Sequence, residues 1–201
     1  MKYKIGVYGS NSAESEQAIL LARELGSVLA YNNVIVVTGG GGGIPYLVAQ
    51  TASQQGAEVW GFSPERNEHE HRQAYPSTSS AIYSRLFFIP AQFDQFFFLE
   101  QPLPALYDRS TRLKYRNFLS TTHVDAGIIV AGGWGTMNEC TNLFYDGKAI
   151  GVLTGTGGLA DELPAWYPRL PKKSESPVLF CNSPSALITD LLHHLHKRVF
   201  N

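Results

Sequence analysis

The chain carries little that would tie it to an oxidising compartment, a membrane or a polyanion. Two cysteines in 201 residues, Cys140 and Cys181, cannot make a disulfide framework. A reducing, cytoplasmic setting is the expectation that follows. No apolar run reaches the roughly 18 residues of a spanning helix, and residues 1–9 read as a strand rather than a leader, so neither membrane nor signal peptide is expected. Lys and Arg total 16 against 17 Asp and Glu, for a net charge of −1. That balance lacks the excess cations that grip a nucleic-acid backbone, and a nucleic-acid partner is not expected. Two familiar phosphate fingerprints are missing as well. The first strand–helix turn is Gly9-Ser10-Asn11-Ser12, the five-glycine run lacks the closing glycine of G-x-G-x-x-G, and no lysine follows a glycine cluster as a Walker loop requires. Nicotinamide and phosphoryl-transfer chemistry are accordingly disfavoured.

What is present is a regular alternation. Residues 3–9, 34–37 and 58–62 are short apolar runs, the second made entirely of β-branched residues, and residues 14–31 and 44–55 between them read as helices. That β-α-β-α-β order predicts a parallel sheet with right-handed crossovers. Further strands are expected at 86–89, 126–130, 148–154 and 178–181, with helices at 110–121, after residue 135, and from Ser183 or Ser185 to the C-terminal region. There is neither an internal repeat nor a separating linker. The expected fold is α/β, a doubly wound, mainly parallel sheet with helices on both faces, as a single Rossmann-like domain over 1–201. Residues 63–82 read as polar and turn-rich, and 155–176 as a Gly/Pro-rich connection. The aromatic segment 93–107 is open to three readings: core, subunit contact or lid.

Two glycine-rich turns sit at strand ends, residues 38–43 and 131–136. In doubly wound sheets ligands bind beyond the carboxyl ends of the strands, so these turns and the Gly9-Ser10-Asn11-Ser12 turn are expected to converge on one crevice. Glycines admit close backbone approach, and a helix N-terminus adds positive dipole where a phosphate would sit. The expected partner is a small phosphorylated ligand. Glu139 lies one turn into the helix after 131–136. Its alternative role is a first-turn acid favoured by the dipole, and that of Arg116 a solvated or interface arginine. The stretch Glu68-His69-Glu70-His71 reads as solvated loop, and no metal is expected. Cys140 reads as a small packed residue.

The segment GGWGTMNE, residues 132–139, resembles the Pro/Val-Gly-Gly-x-Gly-Thr-x-x-Glu signature of the LOG (lonely-guy) family, once described as lysine-decarboxylase-like. The resemblance extends over GSNS in the first turn, TGGGGGIPYLVAQ in the second, and the spacing from Arg116 to Ala131. It implies a homodimer with the arginine helix near the contact. It also implies binding of a nucleoside 5′-monophosphate, with phosphoribohydrolase activity in one branch and a molybdenum-cofactor carrier role in a related one. The hydrolase branch has Pro before Gly-Gly and Lys after the arginine; this chain has Ala131 and Asn117 and looks closer to the carrier branch. On this resemblance Gly132, Gly133, Gly135 and Thr136 would hold the 5′-phosphate, with Gly40, Gly41, Gly42 and Ser10 closing the crevice and Asn117 beside the ligand. In a hydrolase Glu139 would stabilise the oxocarbenium-like state and Arg116 would pair with it or with ligand oxygens. No pyridoxal lysine is indicated, so decarboxylation is rejected and no cofactor is expected.

Overall fold

The computed structural model describes residues 2–11, 15–89, 108–171 and 177–199. Their order is β1 (Lys4–Gly9), α1 (Glu16–Tyr31), β2 (Ile35–Thr38), α2 (Gly43–Gln54), β3 (Glu58–Ser63), α3 (Glu68–Ala74), β4 (Arg85–Phe88), α4 (Arg109–Thr122), β5 (Ala126–Val130), α5 (Trp134–Tyr145), β6 (Ala149–Leu153), α6 (Gly158–Trp166), β7 (Val178–Cys181) and α7 (Pro184–Val199). The seven strands form one sheet ordered β4-β3-β2-β1-β5-β6-β7, and every pairing is parallel. This is the doubly wound α/β architecture that the alternating pattern predicts.

Helices cover both faces because the central strands are apolar on both sides. Every residue of β2, β5 and β6 is buried. Successive residues along a strand point to opposite faces. Val7, Val36 and Ile128 therefore join α1, α2 and α7 residues in one core cluster, while Tyr8, Val37 and Ile129 join α5 and α6 residues in the other. α1 begins where the Ser15 side chain accepts from the Ala18 N–H at 3.2 Å, and it buries Ala18, Leu21, Ala22, Leu25 and Leu29. Ser183 supplies the cap of α7, accepting from the Ala186 N–H at 3.4 Å.

Two helices arise where the sequence reads as loop. α3 has no apolar period; it forms because Asn67 caps Glu70 at 3.0 Å and the i,i+4 pairs Arg66–Glu70 and Arg72–Glu68 close at 2.6 Å. One expectation falls with it. His71 is not solvated: it is buried, and its Nδ1 meets the Ser63 hydroxyl at 2.9 Å. α6 lies inside the Gly/Pro-rich connection, introduced by Gly157 and Gly158 at φ +86° and +54°. The aromatic segment 93–107 lies outside the described residues.

Candidate functional site

The strand order reverses direction between β1 and β5, and there the helices after the two strands leave on opposite sides of the sheet. A cavity of about 220 Å³ opens at this seam. Gly9, Ser10 and Asn11 from the β1 turn line it, as do Gly39, Gly41 and Gly42 from the β2 turn. Gly133, Gly135, Thr136 and Glu139 enter from α5, and Leu113, Arg116 and Asn117 from α4. The two N-terminal turns are tied together by the Ile44 N–H, which donates to the Ser10 carbonyl at 2.9 Å. Gly40 and Gly132 stand behind this lining. Gly40, at φ +68°, packs on the Phe62 carbonyl, and Gly132, at φ +97°, leaves room for the Thr136 side chain, whose Oγ1 a Cβ at residue 132 would meet at 2.5 Å.

The cavity is electropositive by construction. α2 and α5 both start there, capped by Gly42 and Gly133, and neither has a side-chain cap hydrogen bond. A helix start without a side-chain cap carries about half a positive charge. In α2 the Ile44 N–H is taken by the Ser10 carbonyl and Pro45 has none, so α5 is the more open of the two. Arg116 adds a full charge. It is 9% exposed, and its Nε has no hydrogen-bond partner. Its guanidinium occupies the place where a Cβ on Gly39 would stand. Beside it the buried Asn117 donates from Nδ2 to Asn138 Oδ1 at 3.1 Å, while its own Oδ1 is left without a partner. Buried polar atoms in that condition are costly in an otherwise satisfied protein.

Glu139 is the opposing group. Burial pushes its carboxyl up to about 7, against the downward pull of the Arg116 charge. No ion pair within 4.0 Å joins Glu139 to Arg116 among the described residues, so the two face the cavity without neutralising each other. Beneath them the Tyr8 hydroxyl is buried and unpartnered. Its ionisation is pushed well above the ordinary phenol value by burial and then by Glu139. Cys140 is packed away from the cavity, and burial raises its thiol to about 11, which leaves it unreactive.

Ala131, just before the turn, adopts φ +51° and donates its N–H to Thr156 Oγ1 at 2.8 Å. Proline can do neither, because its ring fixes φ near −65° and removes the N–H. The Pro of the hydrolase-type signature is thus incompatible with this backbone. The sequence pattern placed the turn holding Asn11 at the crevice but did not single out Gly39, Leu113 or Tyr8. Gly39 alone had a visible signal, as the first glycine after a buried strand. Among the described residues no group of three or more His, Cys, Asp or Glu converges as a metal site, and no helix is long and apolar enough to cross a membrane.

The fold and cavity define a Rossmann-like α/β protein with a small, positively biased pocket at its switch point. Residues 2–87, from β1 into β4 with the first two glycine turns, match the model of the SLOG cluster4 family. Solved structures share the fold across the chain. The molybdenum cofactor binding protein of Rippkaea orientalis is 20% identical, with a TM-score of 0.66 over 100% of this chain and 99% of that one. The molybdenum cofactor carrier protein of Chlamydomonas reinhardtii is 18% identical, with a TM-score of 0.67 over 97% and 99%. DNA processing protein A of Helicobacter pylori, whose structure describes single-stranded DNA binding, is 16% identical, with a TM-score of 0.64 over 95% and 80%. No curated protein matches by sequence.

Proposed function

We propose that the protein binds a nucleoside 5′-monophosphate, or a similarly phosphorylated pterin, in the cavity between β1 and β5, and that binding rather than turnover is its principal task. One observation carries this reading. Two helix starts without side-chain caps and the buried Arg116, whose Nε has no hydrogen-bond partner, face a single cavity, and an anion is the group that suits all three. Gly41, Gly42, Gly133 and Gly135 would offer backbone donors, Thr136 and Ser10 hydroxyls, and Asn117 an acceptor for a ligand hydroxyl or amine. The left-handed Ala131 and the uncharged Asn117 support the carrier-type branch, as do the cofactor-binding neighbours.

Hydrolysis of the N-glycosidic bond is the second reading, and Glu139 carries it. A carboxylate poised near neutrality beside a bound sugar can stabilise developing positive charge and position water. The experiment incubates the protein with a panel of nucleoside monophosphates and separates the products by chromatography. Base release that disappears in Glu139→Gln establishes the hydrolase. Tight binding with no base released from any substrate leaves the carrier, and no binding at all overturns the site. A short single-stranded oligonucleotide belongs in the same panel, because the structure of the Helicobacter neighbour describes binding of such a strand.

A homodimer is part of the proposal. On α4, Phe118 is half-exposed and stacks on Tyr115 with ring centroids 6.2 Å apart, an apolar surface suited to a second copy.

A further inference from the structure

We propose that Thr156 is a positioning residue for the ligand turn, holding the backbone of residues 131–133 so that the Gly133 amide faces the cavity; this rests on the ligand reading above. Thr156 is 1% exposed and lies on the turn after β6, outside the cavity lining. Its hydroxyl is committed in both directions, accepting the Ala131 N–H at 2.8 Å and donating to the Leu153 carbonyl at 2.6 Å. A hydroxyl is the smallest side-chain group able to bridge a backbone donor and a backbone acceptor in this way.

The start of α6 completes the brace. Ala160 N–H donates to the Ala131 carbonyl at 3.1 Å, and Leu159 N–H to the Gly132 carbonyl at 2.8 Å. Gly158 is tucked against the Gly132 carbonyl, where a side chain would collide. The turn itself is fixed by Asp161, whose two carboxylate oxygens accept from Gly155 N–H at 2.6 Å and Gly157 N–H at 3.0 Å. The Leu159 and Ala160 N–H donors at the start of α6 are therefore spent on protein carbonyls, as is the Ile44 N–H of α2.

This has a directional consequence. No peptide bond is cis, and in a trans peptide the carbonyl and the following N–H point in opposite directions. With the Gly132 carbonyl drawn toward α6, the Gly133 N–H is turned away from α6, and Gly133 is the residue of this pair that lines the cavity. Ala131 sits at φ +51° while both carbonyls bond to α6, and an alanine in that left-handed conformation is strained unless its surroundings hold it there. Thr156 supplies that constraint through the Ala131 N–H.

The test uses the full ¹⁵N-labelled chain titrated with inorganic phosphate and with adenosine 5′-monophosphate, following backbone amides by NMR. The Gly133 amide is expected to shift on binding. Thr156→Ser, which keeps the hydroxyl, is expected to bind within about twofold of the parent. Thr156→Val is expected to lose on the order of tenfold in affinity, with a smaller Gly133 shift, at a temperature where both variants are folded. A Thr156→Val protein that melts earlier yet binds like the parent overturns the proposal, since its role would then be structural alone. If that variant does not fold, the parent titration decides: Gly41 and Gly42 responding while Gly133 stays silent overturns the positioning role but keeps the ligand reading. Silence of all three glycines toward both probes overturns the ligand reading as well.

Discussion

The guanidinium of Arg116 rests on the backbone of Gly39, in the space a side chain there would fill. An arginine on α4 thus reaches over the β2 turn, and its position depends on a residue 77 places earlier that lacks a Cβ.

Gly39→Ala should therefore act as an indirect Arg116 substitution. The methyl displaces the guanidinium, and affinity for a nucleoside monophosphate is expected to fall by about 10- to 100-fold, the range for losing a charge-assisted hydrogen bond. Arg116→Ala should cost as much, and the double substitution no more than Arg116→Ala alone. Additive losses in calorimetric titrations would show that the two residues act separately.

Glu139 gives a pH signature in stability. Its carboxyl titrates near 7 in the folded protein against 4.5 for the free group. The native state therefore holds its proton more tightly than the unfolded state, and stability falls as pH rises from about 4.5 through 7. The full penalty, up to about 3 kcal/mol, is present above that window and absent below it. Glu139→Gln should remove this dependence and be the more stable protein at pH 8 by chemical denaturation. Equal slopes for both proteins between pH 5 and 7 would contradict the assignment.

The same group separates binding from hydrolysis. An ionised Glu139 repels an anionic ligand, so phosphate affinity should weaken as pH climbs past 7, and Glu139→Gln should flatten that profile. Base release, if it occurs, should instead rise over the same interval, because the carboxylate is the active form. A rate profile indifferent to pH between 6 and 8 would remove Glu139 from the chemistry.

Ala131→Pro imports the hydrolase-type residue into a backbone that cannot take it. The ring opposes φ +51° and deletes the donor to Thr156, which predicts a loss of about 3 kcal/mol or more. For a chain of this length that is roughly 6–12 °C in Tm. An unchanged Tm would show that the turn re-forms in another conformation.

Phe118→Asp places a charge on the outer face of α4 while leaving Arg116 and Asn117 on the cavity side. It is expected to convert a dimer into a monomer by analytical ultracentrifugation. A parent protein that is already monomeric removes the proposed contact.

Much of this was legible in the residues because period and punctuation agreed. The strands announced themselves as short apolar runs, and the glycine turns at 38–43 and 131–136 fell at strand ends. What stayed hidden depended on partners distant in sequence. Glu68–Ala74 has no apolar stripe and becomes helical through a cap and two ion pairs. His71 is buried through its meeting with Ser63, which no local pattern encodes. Gly39 looked like one glycine among five, and its distinct role exists only because α4 brings Arg116 across it. The glycines at 155–158 resemble a third ligand turn, yet Asp161 and the carbonyls of residues 131 and 132 already occupy that turn's donors.

The seam between β1 and β5 also governs when the pocket can exist. Lys4 N–H donates to Asp125 Oδ2 at 2.7 Å across 121 residues of chain, and the β1–β5 ladder closes at the same separation. The units β1-α1-β2-α2-β3 pair near neighbours in the chain, whereas this joint carries a larger loop-closure entropy cost. Residues 2–87 hold the glycine half of the pocket with neither Arg116 nor Glu139 opposite it. A nascent or truncated chain of that extent would be blind to the ligand. An anion in the pocket would bridge the two sides of that seam, touching the β1 and β2 turns on one side and α4 and α5 on the other.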